Sequence, residues 1–171
     1  MVDLAREYAA GAEAVRVLVL PDDPLPRADA IVSVGHVVSY LPDRAAVERA
    51  LLAIAAAVRP GGVFALDICD LEWGAARRGA PNYSRIEDDW AIVTAFSQPA
   101  PDVFVRDITT FLRNDDGSWR RDDERHENVL LETRLIPELL SGSGVDVTIQ
   151  RSFGAEALPE GLRVVVGRRV S

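Results

Sequence analysis

The sequence has a single cysteine, Cys69, among its 171 residues. No intramolecular disulfide can form from it, so a reducing, cytoplasmic setting is the natural expectation, with Cys69 a small apolar residue at a strand end. Long apolar runs are missing as well. No stretch approaches the roughly 20 apolar residues that span a bilayer, and the start MVDLAREYAAGAEAVR has no basic leader followed by an apolar run. Neither a membrane protein nor a secreted one is expected. Positive charge is in deficit: 19 Lys and Arg stand against 27 Asp and Glu, giving a formal net charge of −8. Without a basic field, nucleic acid and anionic membrane surfaces are poor partners, which leaves small-molecule chemistry as the better expectation. Neither an internal repeat nor a low-complexity tract interrupts the chain.

A hydrophobic content of 48% is enough for one substantial core, so a single domain over residues 1–171 is expected. Residues 3–10 carry Leu4, Ala5, Tyr8 and Ala9 at helical spacing, and Gly11 stops the pattern. The run AVRVLVL at 14–20 is rich in β-branched residues and reads as a buried strand, ended by Pro21-Asp22-Asp23-Pro24. Next comes a short apolar strand at 30–34, then a loop with Gly35, His36 and Tyr40. Pro42-Asp43 opens a long helix, with Asp43 as its N-cap and Val47, Ala50, Leu51, Ile54 and Val58 on one face. Pro60-Gly61-Gly62 ends that helix, and residues 63–68 return as a second apolar strand. Two strands apolar on both faces and joined by a helix mark a parallel sheet, covered on each side and connected by a right-handed crossover.

The texture changes over residues 71–131. Strand-like runs at 90–96, 103–112 and 118–129, broken by Pro99, Pro101 and Asn114-Asp115-Asp116-Gly117, predict an inserted antiparallel β meander. A helix at 133–141 and two strands at 145–149 and 162–166, joined by a Pro159-Glu160-Gly161 turn, complete the chain.

The run ADAIVSVGHVVSYLPDRAAVERALLAIAAAVRPGGVFALDI resembles the fourth strand, following helix and fifth strand of class I S-adenosylmethionine-dependent methyltransferases, with Asp29 near the strand start and Arg59-Pro60-Gly61-Gly62 as the turn. MVDLARE resembles the helix after that family's second strand. LLSGSGVDVTIQRSFG with LPEGLRVVVGR resembles its last helix and terminal hairpin. The resemblance implies an α/β fold: an incomplete Rossmann-like methyltransferase sheet, mostly parallel, with a C-terminal antiparallel hairpin and the inserted meander as a substrate lid. It also implies S-adenosylmethionine as cofactor, a small-molecule methyl acceptor and no metal.

The family begins with a strand, a glycine-rich loop, a helix and a second strand ending in an acidic residue, none of which precedes Met1; Val19 stands where a third-strand acid would fall. Three readings follow. In the first, the true start lies upstream of Met1 and the chain is a fragment of a longer enzyme. In the second, it is an inactive derivative that serves as a binding or regulatory partner. In the third, it is an unrelated α/β enzyme. Loss of the first two strands leaves 14–20 either to pair beside 30–34 or to go unpaired, which implies marginal stability and weak cofactor binding.

Ligands of open parallel sheets lie beyond the C-terminal strand ends. That places Gly35, His36 and Val37 after one strand and Asp67, Cys69 and Asp70 at the other. By resemblance, Val34, Gly35, His36 and Val37 face the methionine end of the cofactor, with Asp22 a loop substitute for the missing acid. His36 is then a cofactor or catalytic residue, or else an ordinary loop histidine. In the meander, His126 is a candidate proton acceptor, and Arg106 and Arg125 are candidate anchors for an anionic substrate. The alternative is that the charges of RRDDERHE pair across strands on a solvated face. Asp67 and Trp73 are candidate substrate contacts, Trp73 alternatively a core aromatic.

Overall fold

The computed structural model describes residues 2–9, 11–79 and 81–170. Helix α1 (Val2–Tyr8) carries the expected apolar spacing, yet none of its residues is buried; its expected end at Ala10 lies outside the described residues. The buried strand expected at 14–20 is absent. That stretch is irregular, with Val17 and Val19 exposed, and only Leu20 and the later Leu25 pack against the core. The physical reason is the lack of a hydrogen-bonding neighbour: β propensity orders a segment only when a ladder receives its N–H and C=O groups. Here a turn takes them instead. Asp22 and Asp23 donate their backbone N–H groups to Val19 O, and the Asp23 carboxylate accepts from Val19 N at 2.7 Å.

Strand β1 (Ala28–Ser33), helix α2 (Arg44–Ala57) and strand β2 (Val58–Cys69) form the central unit, and β1 and β2 pair in parallel from Ala30↔Val63 to Ser33↔Leu66. The Asp43 carboxylate caps α2 by accepting from Ala46 N at 2.7 Å. The helix buries Ala46, Val47, Ala50, Leu51, Ile54, Ala55 and Ala57, the face its spacing predicts. The strand after it begins earlier than expected. Val58 already pairs with Ala28, and a register shift between Ala28 and Ala30 absorbs the Arg59–Gly62 segment. Gly62 is required there, because a Cβ would stand 2.5 Å from Asp29 O.

After β2 the chain leaves the sheet through helix α3 (Leu71–Ala75) into strands β3 (Tyr83–Ile86), β4 (Trp90–Ala100), β5 (Val103–Arg113) and β6 (Trp119–Val129). These form a separate antiparallel sheet in the order β3-β4-β5-β6, the predicted meander with one extra strand. The insertion closes on itself: Leu131 N donates to Cys69 O and Leu71 N to Leu131 O, each at 3.0 Å. The helix expected at 133–141 is broken into helix α4 (Ile136–Leu139) between two 3-10 turns, with Pro137 in the first helical turn and left-handed Gly144 stopping the segment.

Strand β7 (Val145–Gln150), a small β8 (Ser152–Phe153) and β9 (Glu156–Ala157) hairpin that the sequence did not signal, and strand β10 (Leu162–Arg169) complete the fold. The main sheet runs β1-β2-β10-β7, with β10 antiparallel to both neighbours. Strands β1, β2 and β7 therefore point the same way, but a mostly parallel sheet was expected and β10, inserted between β2 and β7, makes two of the three pairings antiparallel.

The α2 side of this sheet is dry: Phe64, Leu66, Ile68 and Val165 join Val47, Leu51 and Ile54 in one cluster. The other side departs from the expectation of a sheet covered on both faces. It is buried at Asp67, Cys69, Leu162 and Val164, where α3 and the meander sit, but only half-buried at Val63, Ala65 and Val166, since α1 buries nothing against it. Among the described residues β1 has no strand on its outer edge, where Val32 and Val34 are exposed.

No helix among the described residues is long and apolar enough to cross a membrane. Replacing Asp43 with Ala leaves one helix N–H without its cap and should destabilise the fold by about 1 kcal/mol. Thermal unfolding followed by circular dichroism should show this as a drop in Tm of several degrees.

Candidate functional site

Strand β1 delivers its loop to the C-terminal edge of the sheet in an unusual conformation. Gly35 has φ 95 and His36 has φ 47 and ψ 39, so a histidine occupies the left-handed region that favours glycine. The buried carboxylate of Asp67 on β2 holds this turn, accepting from Gly35 N at 3.1 Å and from His36 N at 2.8 Å. Two charge-assisted bonds to consecutive N–H groups make a short anion nest and fix the backbone that carries the His36 ring. The 3-10 turn Val37–Tyr40 follows, and its buried Ser39 hydroxyl accepts from Cys69 N at 3.0 Å. The loop is thereby tied to β2 twice.

The opposite wall comes from α3 and the meander. Asp70 caps α3 through Glu72 N at 3.1 Å and accepts from Thr133 N at 3.1 Å, joining both ends of the insertion. Trp73 on α3 is buried, with the His36 ring 5.7 Å away on one side and the Arg77 guanidinium 3.3 Å above its centroid. Gly161 permits this placement. Its φ is 86, and a Cβ would collide with the Trp73 backbone. Trp73 meets Phe104 edge-on at 6.3 Å, and Phe104 stacks with Phe96 at 6.0 Å. A cavity of about 360 Å³ lies beside this group, bounded by Arg77, Phe96, Gln98 and Phe104.

Strand alternation decides which meander residues join the site. Phe104 pairs with Asn128, Arg106 with His126 and Ile108 with Glu124, so these share one face; Asp107 pairs with Arg125 and Thr109 with Asp123 on the other. Arg106 and His126 both reach Tyr40: Arg106 Nη2 donates to the Tyr40 hydroxyl at 2.5 Å, and His126 Nδ1 lies 3.3 Å from it. His36 stacks on Tyr40 at 5.5 Å. His36, Tyr40, Trp73, Arg106 and His126 thus form one constellation across the two walls. Arg125 does not. It is turned to the outer face and engages Asp107 at 2.9 Å and Glu127 at 2.8 Å, which corrects its expected place beside His126. The cross-strand pairing foreseen for RRDDERHE is made on that face by Arg125 with Asp107, whereas Arg121 meets Asp123 within β6 itself.

Within the expected cofactor loop, Gly35 has open space around it, while Val34 and Val37 are exposed. Asp22 is exposed in the Val19–Asp23 turn. Asp67 is positioned by the sheet as predicted, but its carboxylate is engaged by the loop backbone. Three residues escaped the sequence reading as site members: Tyr40, Arg77 and Asn128. Asn128 had a signal, since it occupies the inward register of β6 two residues from His126.

The electrostatics set this cleft apart. The buried side-chain polar atoms without a hydrogen-bond partner among the described residues are His36 Nδ1 and Nε2, Trp73 Nε1, Arg106 Nε, and Asn128 Nδ2 and Oδ1. Asn128 is fully buried. Buried polar groups are almost always satisfied, so such a cluster marks a place built for something polar. Desolvation holds the His36 pKa below its ordinary 6.5, assisted by the charges of Arg106 and Arg77 and opposed by Asp67. Burial pushes the Cys69 thiol up to about 12, which keeps it protonated and inert at neutral pH.

Because Asp67 is the one neighbour that raises the His36 pKa, Asp67→Asn should lower it further, as read by NMR titration of the imidazole signals. The sign for stability follows. With the folded pKa depressed, the unfolded chain binds the proton more readily, so this group weakens the fold as pH falls below 6.5.

No protein-family model matches the chain, and no curated protein matches it in sequence. Solved structures do match in three dimensions. An S-adenosylmethionine-dependent methyltransferase from Clostridium acetobutylicum ATCC 824 superposes with a TM-score of 0.76 at 16% identity, over 99% of this chain and 69% of that one. A sugar N-methyltransferase from Streptoalloteichus sp ATCC 53650 gives 0.63 at 18% identity, over 85% and 57%. An amino pentose methyltransferase from Micromonospora echinaspora, solved with S-adenosylmethionine bound, gives 0.65 at 16%, over 98% and 69%. The matched region thus spans between 57% and 69% of these three proteins' lengths. At such identities the likeness speaks for architecture, and that architecture is the class I S-adenosylmethionine-dependent methyltransferase fold.

Proposed function

We propose that this chain carries the acceptor side and part of the cofactor side of a methyltransferase site, moving a methyl group from S-adenosylmethionine to a small-molecule acceptor. The observation that carries this reading is the clustering of unpartnered buried polar atoms on His36, Trp73, Arg106 and Asn128, at the strand ends where an open α/β sheet binds its ligands. The cofactor would supply an electrophilic methyl group on a sulfonium, so the protein has mainly to align a nucleophile and handle a proton.

The residues fit that group in part. The loop Val34–Val37 offers open space at Gly35 and exposed apolar contacts, which suit the methionine end. Its two N–H groups are already occupied by Asp67, so they are not free to hold the amino-acid carboxylate. Asp22 stays a candidate for the adenosine end. His36 and His126 are the candidate proton-handling residues, and Arg106 and Trp73 the acceptor contacts. The meander acts as the lid over them. Asp67 serves the site by holding the His36 turn, and Arg125 has no part in it.

A second reading is a protein of this fold that binds without transferring. It is favoured by the engagement of Asp67 with the backbone of Gly35 and His36, which leaves that loop's N–H groups closed to a cofactor. Turnover separates the two. Saturable but weak calorimetric binding of S-adenosylmethionine together with formation of S-adenosylhomocysteine in the presence of an acceptor is expected of a methyltransferase site. Binding of the cofactor with no product from any acceptor would favour the second reading.

Asn128 supplies an orthogonal check. An amide that makes no bond within the protein costs stability, so Asn128→Leu, which keeps the branching at Cγ, should stabilise the chain by about 1 kcal/mol. The same change should weaken ligand binding. A lower Tm would mean that Asn128 is structural and would remove it from the site.

A further inference from the structure

The hydrogen bonds around Tyr40 have a direction. Arg106 Nη2 donates to the phenolic oxygen at 2.5 Å, and a guanidinium cannot accept, so the Tyr40 proton must point elsewhere. His126 Nδ1 lies 3.3 Å from that oxygen, and the other ring nitrogen, Nε2, lies 2.9 Å from the Glu124 carboxylate. A carboxylate only accepts. With a neutral imidazole, one arrangement of hydrogens satisfies every contact: Tyr40 O–H donates to Nδ1 and Nε2–H donates to Glu124. The chain leads outward, from a phenol stacked at 5.5 Å on His36 to a Glu124 side chain that is 63% exposed.

We propose that Tyr40, His126 and Glu124 form a proton relay, and that the methyl acceptor is therefore a compound whose nucleophilic atom must shed a proton, an amine or hydroxyl being the simplest, and not a thioether or tertiary amine. This rests on the methyltransferase reading above and extends it to the class of acceptor. The step balances. The acceptor's lone pair forms the bond to the methyl carbon, and the carbon–sulfur bond breaks with its electron pair going to sulfur. The acceptor's N–H or O–H bond breaks, its proton joins the Tyr40 oxygen, and the former phenolic proton passes to His126 Nδ1. The positive charge lost from the sulfonium ends on the imidazolium, beside Glu124. Arg106 assists by stabilising electron density on the phenolic oxygen during the exchange. Tyr40 is the catalytic residue of this relay, while His126 and Glu124 act through it.

Two measurements on the full chain test it. Long-range nitrogen–proton NMR of the chain alone should find His126 in the Nε2–H tautomer, with the Nδ1 signal displaced in Tyr40→Phe and the tautomer preference lost in Glu124→Gln. With S-adenosylmethionine and a panel of small amines and alcohols, S-adenosylhomocysteine formation should fall about 10²-fold in kcat for Tyr40→Phe, with KM little changed. A wild-type His126 that averages between tautomers, or an unchanged kcat in Tyr40→Phe, overturns the relay alone. An intact tautomer without turnover of any acceptor overturns the methyltransferase reading, and with it the acceptor class.

Discussion

The contact on which the site depends is the buried carboxylate of Asp67 against the backbone of Gly35 and His36. A histidine at φ 47 holds a left-handed turn at a cost of roughly 1–2 kcal/mol. Asp67 supplies the compensation from the adjacent parallel strand, and can do so because Ser33 is in register with Leu66, which brings the end of β1 beside that carboxylate. The ring that results stacks on Tyr40 and faces Trp73. Without this bridge between strand ends, the meander wall would face an unordered loop.

The meander wall is held by different means. Trp73 is positioned by the close approach of Gly161, by Asp70 at both ends of the insertion, and by the guanidinium of Arg77 on its face. The ion pairs on the outer face of the meander are exposed and contribute at most about 1 kcal/mol each. Their role is to keep that face soluble, whereas the inner face carries Arg106 and Asn128 with atoms left unpaired. The sheet thus separates a satisfied surface from one whose polar atoms call for a partner from outside the protein, whether water, ion or ligand.

Much of this architecture was legible in the sequence, and the reasons differ by element. The parallel pair around α2 could be read because its helix has a capping residue and one apolar face, both local signals, whereas the glycines taken as its stop lie inside β2 and the helix ends earlier, at Ala57. The meander was legible through alternation and turn residues. The segment 14–20 misled because β-branched composition reports what a chain would do beside a neighbour, not whether the neighbour is there. His36 and His126 were found as reactive residue types, but their meeting through Tyr40 is a tertiary fact with no local trace. Arg125 could not be told from Arg106 by type. Their difference in parity along paired strands separates them, and that needs the register of β5 with β6.

The two crossings of the insertion, where Leu71 and Leu131 bond to each other beside Cys69, have an evolutionary consequence. A loop whose entry and exit coincide can be exchanged wholesale without breaking the host's hydrogen bonding. The cassette between those leucines can then diversify from one descendant to the next, each presenting new side chains to an unchanged His36 turn, so that a shared scaffold acquires fresh selectivity by grafting.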